Sequence, residues 1–350
     1  MGKANKKVGI IGHFGGKETI LDGQTIKTKI LYDELKKTTD WDIICVDTYY
    51  KKKNPFKLLK DTLLCLKSAQ DIIVLLSRNG MKIYFPLLSF YARKFQTRIY
   101  HDVIGGNLDT YVKQYARYKE YLNLFKVNWV ETEGLKRKLE KEGIRNCEVI
   151  PNFKRLKLAN LELNEYEEPY QFCIFSRVMK EKGIETAIDA IQSINTEAER
   201  TVCTLDIYGR IDDGYKDQFE KVMGQTTMAI DYKGMVPYDQ SVEAIKKYYA
   251  LLFPTYWDGE GFPGTIVDAF SAGLPVIATD WNCNGEIVNN RVNGILYPNE
   301  EIKTLKEAIE YLIKDVESVR QMKINSISSA KNFQPDRYIA RIIHKVEGGN

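Results

Sequence analysis

Two rounds of unbroken apolar runs, each run followed by a helical segment, constrain this chain more than any other feature. The first round reads KVGIIG, a helix over 24–37, WDIICVD, a helix over 56–68 and DIIVLLS. It continues through FQTRIYHDVIGG, a long helix over 108–125, NWVETE, a helix over 134–141 and CEVIPNF. Runs that are apolar at consecutive positions, rather than at every second one, belong to strands covered on both faces, as in a parallel sheet. The alternation then stops. Residues 154–169 are polar and acidic without a period, as a linker would be, and a second round begins with FCIFSR, a helix over 184–194, TVCTLDIYGR, AIDYKG, a helix over 241–248 and LLFPTYW. The expected architecture is α/β, with two Rossmann-like doubly wound domains in tandem facing a cleft. With 350 residues, two domains of ordinary size are expected in any case.

Composition narrows the classes. Hydrophobic residues make up 44% and charged residues 28%, which suits a soluble globular protein. No apolar run reaches the roughly 18 residues of a membrane span; the best, over 83–92, contains Pro86. The basic N-terminus leads straight into a strand pattern without a signal-peptide core, so a cytoplasmic location is expected. The six cysteines form no CxxC pair and have no His partner at metal spacing, which predicts buried free thiols and no metal site. Charge is divided unevenly: the first 150 residues carry 28 Lys and Arg against 17 Asp and Glu, the remainder 23 against 30. The basic part therefore expects an anionic partner. No compact nucleic-acid-reading motif is present, while basic and aromatic residues interleave over 49–56 and 111–121, so the expectation is an anionic membrane surface and no nucleic acid.

The most chemically loaded stretch is EGFPGTIVDAFSAGLPVIATD, from Glu260 to Asp280. Gly259, Gly261 and Gly264 allow close backbone approach, Pro263 suits a first helical turn, and Gly273 closes the helix before an apolar strand. A helix start favours a phosphate, whereas Glu260 repels one and accepts hydrogen bonds from hydroxyls. A sugar phosphate offers both groups. The run resembles the donor-binding signature of retaining family 4 glycosyltransferases of the GT-B fold, bacterial polysaccharide-type: Glu260, seven residues, then Asp268 where the family usually has Glu, followed by SAGLPVIATD, Gly285 to Val288 and Asn293-Gly294.

That resemblance implies roles for other residues. Arg177 and Lys182 in FSRVMKEKG match the family's element that neutralises a leaving nucleotide diphosphate, with Ser176 in place of its Gly. His101, at the end of RIYHD, resembles the residue that contacts the transferred hexose. Gly15 and Gly16, in the loop after the first strand, stand where backbone amides would face the donor. Gly209, Gly261, Phe262, Pro263, Gly264 and Asp268 complete the donor-binding set, with Asp268 on the ribose. Pro151-Asn152 matches the family's hinge element, with Phe153 at its Gly position.

The expected domains are 1–153 for the acceptor and 154–334 for the donor, with a last helix over about 335–347 crossing back onto the first. The implied activity is metal-independent, retaining transfer of a hexose from a nucleotide sugar, UDP-linked rather than GDP-linked, to a glycan or lipid-linked glycan, without a bound cofactor. Two other readings are a GT-B UDP-sugar epimerase, which needs an acid and base pair not evident here, and a catalytically silent GT-B partner protein.

Overall fold

The computed structural model describes residues 5–18, 22–161, 166–298 and 302–349. The expected loop after the first strand thus has 19–21, and the expected linker 162–165, outside the described residues. The chain divides into two compact units, one of Met1–Arg155 with Pro335–Asn350 and one of Leu156–Gln334.

Unit 1 runs β1 (Lys7–Gly12), α1 (Gly23–Thr38), β2 (Asp42–Asp47), α2 (Tyr50–Lys53), α3 (Pro55–Ser68), β3 (Asp71–Val74) and α4 (Arg78–Phe95). It continues with β4 (Arg98–Asp102), α5 (Leu108–Gln114), α6 (Ala116–Leu124), β5 (Val127–Val130), α7 (Glu133–Lys141) and β6 (Cys147–Val149). The strands pair in parallel in the order β2-β1-β3-β4-β5-β6. One sheet face packs through Val74, Phe85, Leu88 and Leu122, the other through Ile10, Leu31, Ile73 and Trp129. Burial on both faces explains why these strands are apolar at successive positions.

One long helix has no counterpart among the expected elements, and one expected helix is divided. α4 runs through Pro86, because the proline lies on the exposed side of the helix, where solvent can serve the carbonyl of Lys82 in place of the missing amide. The expected long helix over 108–125 is two helices. Tyr115 takes an extended conformation (φ −133°, ψ 98°), closes α5 by donating to the Tyr111 carbonyl, and starts α6 by accepting from the Tyr118 amide.

Unit 2 runs β7 (Tyr170–Phe175), α8 (Ile184–Glu197), β8 (Cys203–Tyr208), α9 (Lys216–Met223), β9 (Ile230–Gly234), α10 (Ser241–Ile245) and β10 (Ala250–Phe253). Then come α11 (Gly264–Ser271), β11 (Val276–Thr279), α12 (Asn284–Ile287), β12 (Gly294–Tyr297), α13 (Ile302–Lys314) and α14 (Val316–Ala330). Its parallel sheet has the order β12-β11-β10-β7-β8-β9. α9 gives no sequence signal because Phe219 is its one buried residue.

The order of unit 2 reverses between β7 and β10, since β8 and β9 are laid to one side and β11 and β12 to the other. Helices on opposite faces diverge at such a point and leave a crevice at the strand ends, where α/β proteins hold ligands. The final helix, α15 (Pro335–Val346), belongs to unit 1. Tyr338 stacks on Phe153 with centroids 5.8 Å apart, and Ile339, Ile342 and Val346 enter the core with Val8 and Leu35. Phe153, at the position of the family's glycine, is therefore an anchor for that helix.

Candidate active site

At the reversal point of unit 2, the segment leaving β7 meets the segment leaving β10. The β7 segment makes a short turn over Lys180–Lys182 and enters α8 through Gly183, at φ 68°. A Cβ on Gly183 would lie 2.1 Å from the Pro254 carbonyl oxygen, so glycine is required for this close approach. The Tyr256 amide donates to the Glu181 carbonyl at 2.9 Å, and Thr255 Oγ1 to the same carbonyl at 3.3 Å. Thr265 Oγ1 donates to the Phe175 carbonyl and Thr279 Oγ1 to the Thr255 carbonyl, each at 2.5 Å. These bonds lace three strand ends into one platform.

Lys182 and Glu260 form a hydrogen-bonded ion pair on that platform, with relative exposures of only 7% and 9%. Thr255 Oγ1 can turn its single hydrogen to Glu260 Oε2 instead, also at 3.3 Å, and the Lys182 ammonium lies 5.2 Å from the ring centroids of both Phe253 and Trp257. Charges withdrawn from water to this degree need partners, and each has one. Arg177 is different: it is exposed, and its guanidinium stands 4.0 Å from Asp212, whose own carboxylate closes a turn onto the Gly214 amide. The site thus has one buried, paired cation and one exposed cation, beside a carboxylate able to accept hydroxyl bonds.

The remaining donor-set residues are mostly structural. Gly209 (φ 138°) donates its amide to Gly234 and accepts at its carbonyl from Tyr232 Oη; a Cβ there would lie 1.7 Å from the Ser176 oxygen. Protein packing by itself requires glycine here. The Phe262 side chain is a core residue against Phe333, centroids 5.3 Å apart, so it offers no ring to a donor. Pro263 caps α11 and Gly264 is its first residue, which moves Pro263 out of the first turn. The Gly261 carbonyl accepts from Cys283 Sγ at 2.9 Å. Asp268 is buried inside α11 and accepts from Ser241 Oγ at 2.9 Å, a bond that fixes α10 to α11.

In unit 1, Gly15 and Gly16 have φ of 83° and 61°, but the Gly16 amide does not wait for a phosphate. It donates to Asp47 Oδ2 at 2.8 Å, while Phe14 and Tyr49 amides donate to Oδ1. Asp47, on β2, already fills the anion-binding nest. His101 sits at the end of β4. Its ring is fully buried, with Nδ1 3.1 Å from Asn128 Oδ1 and with the Phe85 and Phe125 rings edge-on at 5.0 and 6.1 Å. Burial, assisted by Lys27, pushes its pKa down to about 4 against the Asn128 bond, so the ring is neutral, and its Nε2 is buried without a hydrogen-bond partner among the described residues. The adjacent Asp102 points elsewhere and pairs with buried Lys27 at 2.6 Å; burial raises its pKa to about 6 although Lys27 opposes. Burial alone would lower Lys27, but Asp102 and Glu131 outweigh it and hold the ammonium above its ordinary range.

Thr255, Trp257 and Asp47 escaped sequence reasoning. The first two lie in PTYWDGEG, where only the glycines and Glu260 carried a signal; Asp47 looked like a strand terminus. Among the described residues, no group of three His, Cys, Asp or Glu is arranged to hold a metal ion, and no helix is long and apolar enough to cross a membrane.

Residues 160–329, just under half of the chain, match the family model described as Glycosyl transferases group 1. Among curated proteins, an uncharacterized glycosyltransferase of Methanocaldococcus jannaschii is 28% identical over 184 residues, covering 52% of this chain and 49% of that protein. The UDP-N-acetylglucosamine–peptide N-acetylglucosaminyltransferase GtfA subunit of Streptococcus gordonii is 24% identical over 299 residues, covering 80% of this chain and 57% of that protein. The chain spans about half the length of these relatives. A sucrose-phosphate synthase from Thermosynechococcus elongatus superposes with a TM-score of 0.77 at 14% identity, over 97% of this chain and 98% of that one. HepE from Anabaena, in complex with UDP, gives 0.70 at 14% identity, over 98% and 99%. The fold is that of GT-B glycosyltransferases.

Proposed function

With residues 160–329 as a glycosyl transferases group 1 domain in a GT-B fold, we propose that the chain moves a hexose from a UDP-sugar to a glycan or lipid-linked glycan, with retention and without a metal. The observation that carries the reading is the buried Lys182–Glu260 pair at the strand-order reversal of unit 2. An ammonium and a carboxylate held side by side there match a ligand with a diphosphate and hydroxyls. Support for UDP comes from relatives: the GtfA subunit is named for UDP-N-acetylglucosamine, and HepE has been solved with UDP and glucose.

In this reading unit 2 binds the donor and unit 1 serves the acceptor. Lys182 and Arg177 face the diphosphate together with the N-terminus of α11, and stabilise the charge that builds there as the glycosidic bond lengthens. Glu260 accepts from sugar hydroxyls, and its nearby charge favours the oxocarbenium-like sugar. Asp268 holds α11 in place through Ser241 and, at one methylene less than Glu, reaches the ribose only with a small shift of that contact. The work is done at a cytoplasmic membrane face, where a lipid-linked acceptor would be presented.

Incubation with UDP-glucose and UDP-N-acetylglucosamine tests this. Slow UDP release, accelerated by glycan acceptors and lost in Lys182→Ala, is the expected result. Isomerised UDP-sugar without release would make the protein an epimerase, and neither outcome with either donor would leave it a silent partner.

A further inference from the structure

α3 and α4 lie side by side on one face of the unit 1 sheet, joined by the Thr62 Oγ1 to Tyr84 Oη contact of 2.9 Å. Their inner stripes, Thr62, Cys65 and Leu66 on one and Met81, Tyr84, Phe85 and Leu88 on the other, are buried. The outer stripes are also apolar, which a solvated helix pair does not need. Phe56 is 83% exposed, Leu59 57%, Ile83 67% and Phe90 52%, and Leu63, Leu64 and Phe95 are exposed beside them. Seven of the fourteen large exposed hydrophobic side chains among the described residues thus stand on two adjacent helices. A patch of this kind marks an interaction surface.

Its charges select the partner. Six lysines on α2 and α3 and four Lys or Arg on α4 are all exposed; the one acid on these helices, Asp61, is paired with Lys57, while Lys53 meets Glu18, Arg93 lies 3.8 Å from Glu120 and Arg78 lies over the Tyr111 ring. Protein interface cores are depleted in lysine, so another protein fits poorly. A second copy meeting the same face would set this basic surface against itself. Aliphatic and Phe tips rimmed by lysines, whose stems can extend along apolar surface, suit instead the boundary between headgroups and acyl chains of an anionic bilayer.

We propose that α3 and α4 form a membrane-docking face that inserts Phe56, Leu59, Ile83 and Phe90 into an anionic phospholipid leaflet, with the surrounding lysines on its headgroups. Each well-placed Lys or Arg raises partitioning about fivefold, so several give firm but reversible attachment without a spanning helix. This surface uses no residue of the candidate active site, and its test needs no sugar nucleotide.

The test uses the full chain with phosphatidylcholine vesicles prepared with or without phosphatidylglycerol. Binding should rise at least about tenfold with phosphatidylglycerol. Phe56→Trp, compared with the parent protein, should gain blue-shifted emission that brominated acyl chains quench. Leu59→Asp, at an exposed position and checked for an unchanged melting temperature, should lose about tenfold in binding or more. Three results would overturn the proposal: no preference for the anionic vesicles, binding in which the emission of the introduced tryptophan stays unchanged, or a Leu59-dependent dimer with indifference to lipid.

Discussion

Lys182→Met removes one member of an ion pair whose partners are 7% and 9% exposed, and leaves Glu260 charged with only the Thr255 hydroxyl, at 3.3 Å, beside it. Breaking a buried pair from one side costs about 3–5 kcal/mol, because the survivor has no water to replace what it lost. Glu260→Gln should cost less. The surviving ammonium keeps the Phe253 and Trp257 rings at 5.2 Å, contacts of about 0.5–2 kcal/mol, and the new amide oxygen still accepts. The double variant Lys182→Met/Glu260→Gln has no orphaned charge and should lie within about 1 kcal/mol of the parent, giving a coupling of more than about 2 kcal/mol. Urea-dependent hydrogen exchange of peptides from β7 and β10 reads the stability of unit 2 alone. Donor turnover should separate from stability: all three variants lose about a hundredfold or more, the stable double variant included. Strict additivity of the two single losses would mean that the pair does not form in solution. Parent-like turnover in the double variant would remove the diphosphate and hydroxyl roles together.

Arg177→Ala, at an exposed side chain, should leave stability within about 0.5 kcal/mol while slowing transfer by tens to thousands of fold, as steady-state rates would show. Gly209→Ala forces a Cβ to within 1.7 Å of the Ser176 oxygen at φ 138° and should cost roughly 2–4 kcal/mol in a thermal melt. Turnover should survive excess chelator with little loss; a chelator-inactivated enzyme restored by magnesium or manganese would make the carboxylates here ligands. The His101 pKa falls from 6.5 to about 4 on folding, so its neutral-ring stability is complete above pH 6.5 and is lost as pH falls toward 4, while Asp102, raised from 3.8 to about 6, gains stability over about the same window and offsets it. His101→Gln removes the first effect only, so in denaturant titrations its deficit against the parent should shrink as pH drops from 7 to 4.

The sequence was most legible where one physical cause acts over consecutive residues. Val8, Ile10 and Ile11, or Val276, Ile277 and Ala278, are apolar at successive positions because both sheet faces are covered, and that pattern alone specifies parallel α/β layers. Glycines were legible as positions but not as purposes. Gly209 looks like a ligand contact in a motif, yet the atoms that exclude a side chain there belong to Ser176, just as those at Gly183 belong to Pro254. The tolerance of Pro86 inside α4 was not legible, since a proline's cost depends on which side of the helix it faces, and no local pattern states that.

Residue types in order established that cations and a carboxylate follow β7 and β10. Strand order was needed to bring them together: Lys182 and Glu260 are 78 residues apart and meet because the sheet reverses between those two strands. Burial, equally, belongs to the assembled fold. His101 and Asp102 are neighbours in a strand whose side chains alternate between faces, so one ring packs against Phe85 and Phe125 while the next carboxylate meets Lys27. The chain by itself thus determined the chemistry available to this protein, because side-chain type is local. Tertiary structure decided which groups keep that chemistry exposed, which are spent on each other, and which become core, because partner and dielectric are set by residues far away in the chain.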